Sequence, residues 1–236
     1  MRRRICPSVQ VKEMSENNKK ITPTAGEIDR LVSAALGDRD IRLAEIPAID
    51  LYMDQILTLV STKNETASDR YRENTLTKTM INNYSKEGLL TPVKGKKYTA
   101  EHIVQMLLIY SLKNTLSIGE IHRDLDGARL DGIDGEGLKQ SYERYLDEKE
   151  KVRLLASESV KTVNSSGCLE SESGEDFFVA LLGLISYSAY IKNIALELLE
   201  ARYPIPENDE KDKTKEKEEK KAEKKAEKKA KKNTED

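Results

Sequence analysis

The chain has 236 residues and a net charge of −2, so it is not a basic nucleic-acid binder by bulk electrostatics. Its apolar residues are mainly Leu and Ile, with two Phe, no Trp and few Gly or Pro, a composition that favours helices over sheets. Two cysteines, Cys6 and Cys168, lie too far apart in sequence to suggest a disulfide framework or a clustered zinc site.

In chain order, residues 1–23 are polar and read as a disordered N-terminus. Thr24-Ala25-Gly26-Glu27 is a capping-box pattern that predicts a short helix over 24–36. Asp50 is a candidate N-cap for a helix over 50–62, with Tyr52, Met53, Ile56, Leu57 and Val60 on one face. Residues 63–75 read as a polar connector. Thr77 is placed to cap a helix over 77–86 that Gly88 ends. Residues 93–98, VKGKKY, read as two brief extended pieces turning at Gly95. Thr99 opens an apolar helix over 100–114, and Ser117-Ile118-Gly119-Glu120 opens another over 117–123.

The stretch 124–137 holds four glycines and reads as a loop, with 126–137 as a hinge between two folded parts. Its aspartates do not fit a calcium loop, because Ala128, Arg129 and Gly135 stand where an acid, a glycine and a glutamate are needed. Helices over 138–163 and 175–202 then form an expected hairpin, 138–203. A seam of Leu138, Tyr142, Tyr145, Val152, Ala156 and Val163 is the expected contact. The apolar run Phe177–Ile191 is read as a buried core helix, too short and too polar to span a bilayer. Residues 204–236 are a Lys/Glu-rich low-complexity tail.

The chemistry concentrates at 77–98. On a helical wheel Met80, Ile81 and Tyr84 share one side, which makes Tyr84 a packing residue. The other side carries Lys78, Thr79, Asn82, Asn83 and Lys86, next to Thr77. Lysines neutralise phosphates, and asparagine can make the paired contact to the adenine edge in the major groove. Lys94, Lys96 and Lys97 add a second basic element around Gly95, so 78–97 holds five Lys against the single acid Glu87. His102 and His122 have no second ligand at metal spacing and read as surface or helix-end residues. No nucleophile or phosphate-cradling glycine loop is evident, so the chain is expected to be neither an enzyme nor a cofactor protein.

The ordered residues Thr77, Tyr84, Gly88, Leu89, Leu90, Pro92, Tyr98, Thr99, Ser117, Glu120 and Ile121 resemble a MerR-type winged helix-turn-helix. The segments IPAIDLYMDQ (Ile46 to Gln55) and LTKTMINNYSKEGLL (Leu76 to Leu90) resemble the bacterial domain-of-unknown-function family numbered 1836, over about 40–130. The resemblance implies a winged helix-turn-helix with a small β-wing, and with the helices read around it the expected fold is all-α: a winged-helix domain over 24–125, then the helical hairpin. It also implies a transcription regulator that binds double-stranded DNA as a homodimer through its C-terminal helices; the cysteine usage and the short apolar run add the expectation of a cytoplasmic protein with no membrane association. The departure is at Asn82 and Asn83, where MerR proteins usually carry Arg and Tyr in the recognition helix. The rival expectation is a protein-interaction adaptor that reuses the same scaffold.

Overall fold

The computed structural model describes residues 21–65, 67–72 and 75–204. The disorder expected for 1–20 and for the tail 205–236 lies outside the described residues. The described chain is mostly helical. Its elements are α1 (Ala25–Ala35), β1 (Leu51–Tyr52), α2 (Met53–Asn64), the single-turn α3 (Asp69–Arg72), α4 (Lys78–Lys86), β2 (Lys97–Tyr98), α5 (Ala100–Leu112), α6 (Ile118–Leu130), α7 (Gly135–Val163) and α8 (Gly174–Arg202).

Local signals place most helix starts. At α1 the Glu27 amide donates to Thr24 Oγ1, and the Thr24 amide donates back to Glu27 Oε2 at 2.8 Å. Ser117 and Glu120 make the same exchange at α6. The start of α2 differs from expectation. Asp50 is not its cap, because Leu51 and Tyr52 are drawn into a strand and Tyr52 becomes the N-cap. The Tyr52 amide is instead satisfied by Gln55 Oε1 at 2.8 Å.

The core gathers around α5. Ile103, Val104, Met106 and Ile109 are all fully buried, so this helix has almost no solvent face. It is wrapped by Ile56 and Val60 of α2, Ile81 and Tyr84 of α4, Ile121 and Leu125 of α6, and Leu138, Tyr142 and Leu146 of α7. Within it Gln105 is satisfied: its Oε1 accepts from the Thr91 amide at 3.0 Å, and its Nε2 donates to Glu101.

The Gly-rich stretch corrects the sequence reading. Residues 124–130 continue α6, and only 131–134 form a turn before α7 starts at Gly135. Leu125 and Gly127 are buried, and tertiary packing overrides the helix-breaking tendency of glycine here. Gly127 is required by its neighbour: a Cβ there would fall 2.3 Å from the ring of Tyr203.

The first half of α7 docks on the core and clamps the 38–45 segment. The buried Tyr142 hydroxyl donates to the Ile41 carbonyl at 2.8 Å. The Leu43 amide donates to Glu143, and Arg42 pairs with Glu143 and Asp147 at 2.9 and 2.7 Å. Farther along, Lys149 and Arg153 each bridge Asp38 and Asp40, with Arg153 at 2.9 and 2.7 Å from the two acids.

The expected seam along α7 is only half present. Leu138 and Tyr142 are buried, whereas Val152 is 57% exposed. The expectation of a buried core helix at Phe177–Ile191 is also overturned. That run lies within α8, which has 29 residues, and Ala180 is its one buried residue. By length and composition α8 is apolar enough to cross a membrane, which corrects the reading that the run is too short. Its C-terminal end is pinned to α6, where Arg202 and Tyr203 both donate to Asp131 Oδ2 at 2.8 and 2.7 Å.

Two outcomes follow for stability. Tyr142→Phe leaves the Ile41 carbonyl without its buried donor and should lower unfolding free energy by about 1–2 kcal/mol in urea titrations. Burial alone would raise the Asp38 carboxyl, but hydrogen bonds and charge from Lys149 and Arg153 hold it below the ordinary 3.8. Its contribution is therefore full above that value and fades as pH falls through the lower folded value. The urea midpoint should drop on acidification below about pH 4, and less so in Asp38→Asn.

Candidate nucleic-acid interface

α4 is short and sharply two-sided. Thr77 caps it, with its Oγ1 accepting from the Met80 amide at 3.2 Å. Ile81 and Tyr84 are buried, and Met80 is half-buried with its sulfur 3.5 Å from Lys113 Nζ. The packing role expected for Tyr84 is what the structure gives. On the other side Thr77, Lys78, Thr79, Asn82, Asn83 and Lys86 are all exposed. The first turn contains no acid that would offset the partial positive charge of the helix start.

The end of α4 is set by a Schellman motif. Gly88 adopts φ +72°, its amide donates to the Ser85 carbonyl, and the Leu89 amide donates to the Tyr84 carbonyl at 3.0 Å. Leu89 and Leu90 then enter the core. Arg129 of α6 donates to the Leu89 carbonyl at 3.2 Å and pairs with Asp126, which also holds His122. Sequence reasoning missed this brace, because it treated 124–137 as loop. The i, i+3 and i+4 spacing of His122, Asp126 and Arg129 was the available signal.

The basic turn differs from the expected wing. Gly95 does turn the chain, at φ +80°, but the residues before it form no strand. The strand after it, β2, pairs antiparallel with β1, with Leu51 opposite Tyr98 and Tyr52 opposite Lys97. The ribbon therefore joins distant parts of the chain instead of closing on itself. Lys94, Lys96 and Lys97 are exposed, and Lys97 Nζ sits 5.2 Å above the Tyr52 ring. Among the described residues none of Lys78, Lys86, Lys94, Lys96 and Lys97 is in an ion pair. The α4 residues and the turn lysines form two separate groups, one on a helix packed against α2 and the other at a ribbon packed against α5.

His102 is a helix-end residue, as one of the two expectations had it, but it is not at the surface. It is buried at the start of α5, with Nδ1 2.7 Å from Thr99 Oγ1 and its ring edge-on to Tyr98. His122 is a half-exposed helix residue paired with Asp126. Lys113 went unnoticed in the sequence. It lies 4.5 Å over the Tyr110 ring, and burial pulls its amine below the ordinary lysine value.

Residues 41–145 match the family described as Domain of unknown function (DUF1836). This segment is a DUF1836 domain. It begins at the clamped Ile41 and ends within the docked half of α7, so the DUF1836 domain contains both α4 and the basic turn. No curated protein and no solved structure matches the chain.

Gly88→Ala tests the geometry of this region. An L side chain at φ +72° should cost roughly 1–2 kcal/mol, read as a lower denaturation midpoint. Amide exchange should speed up at Ser85–Leu89 first.

Proposed function

We propose that the DUF1836 domain binds double-stranded DNA through α4, with the Lys94–Lys97 turn touching the flanking backbone, as a non-catalytic transcription regulator of the cytoplasm. The observation that supports this best is the split of α4. Its apolar side is consumed by the core, while Lys78, Asn82, Asn83 and Lys86 stay open to solvent and, among the described residues, neither lysine is in an ion pair. Lysines around Gly95 add phosphate-binding charge. The order of α4, Gly88 turn, β2, α5 and α6 is the order that a MerR-like winged helix-turn-helix would have, and we assign that architecture as part of the proposal. Thr77 is the weakest contact residue in this reading, since its hydroxyl already caps the helix. One nine-residue helix covers little DNA, so two copies reading paired half-sites fit the proposal best.

A fluorescence-polarisation titration with duplex DNA tests it. About four phosphate contacts should give roughly a 100-fold loss of affinity between 50 and 200 mM salt. Replacing Lys78 and Lys86 by Ala should lower the log–log salt slope by about 2. Asn82→Ala should cost about 1–3 kcal/mol at a preferred sequence and little elsewhere. Binding that is absent, or that ignores salt, would exclude the proposal.

A protein-interaction adaptor is the second reading, and the exposed apolar surface of α8 favours it. The open lysine-bearing side of α4 favours DNA. An adaptor would show no duplex affinity, and substitutions on α4 would leave its partner binding unchanged.

A further inference from the structure

A cavity of about 260 Å³ lies between the ends of α2 and α5, the middle of α7 and the clamped 38–41 segment. The rings of Tyr71, Tyr110 and Tyr145 line it, and the exposed Asn114 and Thr115 stand at its rim. Asn64, the last residue of α2, is buried on its wall, and among the described residues its Nδ2 has no hydrogen-bond partner. Burial raises the Tyr110 hydroxyl above its ordinary value and Asn64 opposes that from close by, yet no aligned hydrogen bond from Nδ2 joins the two. A buried amide donor without an acceptor is costly, and an acceptor that enters the cavity removes the cost. One water takes about 30 Å³, so the space holds far more than a single bridging water.

The walls select the chemistry of an occupant. The volume falls just under the roughly 300–1,000 Å³ of sites for drug-sized ligands, which suits one small ring system. Tyrosine rings favour a flat, aromatic one. Its charge should be zero, because the wall carries two acids, Asp38 and Asp40, against two bases, Arg39 and Lys149. A cation is disfavoured further, since Lys113 already lies 4.5 Å over the Tyr110 ring. A phosphate is disfavoured because Lys149 is already held by both aspartates. The Asn64 donor calls for an acceptor on the ligand, such as a ring nitrogen or a ring carbonyl. Ser111 is the complement: its hydroxyl donates to the Leu107 carbonyl, which leaves its lone pairs for a donor on the ligand. A flat, uncharged ring that carries both an acceptor and a donor on its edge is a nucleobase.

We propose that this cavity binds a free, uncharged nucleobase, whose ring nitrogen or carbonyl accepts from Asn64 Nδ2. The proposal does not depend on DNA binding, and its test contains no DNA. Calorimetric titration of the full chain with adenine, hypoxanthine, cytosine and uracil should show at least one of them binding with a Kd below about 1 mM. Adenosine monophosphate should bind no more tightly than adenine, because its phosphate finds no unpaired cation on the wall. Asn64→Leu should weaken binding about tenfold. It should also keep or raise the urea midpoint, since the lost amide has no hydrogen bond to give up. A residue with a merely structural role would lower that midpoint. If Asn64→Leu loses helix content, Ser111→Leu decides the question: it should fill the cavity and abolish binding while the chain stays folded. Three results overturn the proposal: no heat from any of the four bases at about 1 mM, binding that a folded variant leaves unchanged, or a monophosphate that binds more tightly than its base.

Discussion

Burial of α5 on most of its circumference is the constraint from which the rest of the domain follows. Ile103, Val104, Met106 and Ile109 leave it almost no face for solvent, and each such side chain is worth roughly 1.5–3 kcal/mol when removed from water. Helices α2, α4, α6 and α7 must each offer an apolar stripe to it. α4 is the shortest of these four and has the fewest apolar residues to give. Once Met80, Ile81 and Tyr84 are turned inward, the lysines and asparagines have nowhere to go but outward. The polar side of α4 is thus a consequence of the core, and its chemical content is what makes it a candidate recognition surface.

Two local devices hold this surface in place. The Schellman motif at Gly88 stops α4 and turns Leu89 and Leu90 back into the core, braced by Arg129. The β1–β2 ribbon ties the basic turn to the segment leading into α2. The ribbon is only two residues long on each strand, so it positions the turn without adding much stability of its own. Its position between distant segments also couples the turn to α2, which packs against α4.

The ion-paired clamp extends the core in another direction. Asp38 and Asp40 share Lys149 and Arg153, and Arg42 holds Glu143 and Asp147, so the chain before the first strand is fastened along α7. Past this clamp α7 has no further buried residues: Leu154 and Leu155 face solvent, while Ala156, Val160 and Val163 are half-buried. The docked and projecting halves of α7 are therefore physically different pieces of one helix. A rigid helix continuing out of the core would carry α8 at a fixed orientation relative to α4.

The sequence by itself determined the local events. The capping boxes at Thr24 and Ser117, the cap at Thr77, the stop at Gly88 and the apolar stripe of α4 are short-range patterns, and short-range hydrogen bonds and helical periodicity are enough to read them. The candidate DNA-contacting side chains were legible for the same reason, since a wheel sorts exposed from buried positions on a two-sided helix. Only the tertiary structure decided the rest. Glycines 127 and 132 look alike in sequence, yet packing keeps Gly127 helical beneath Tyr203, while Gly132 turns the chain at φ +75°. The strand partner of Lys97–Tyr98 lies some 45 residues away, beyond any local pattern. Apolar composition likewise could not say whether Phe177–Ile191 would be covered, because burial depends on which neighbours are present, and the described residues supply too few of them.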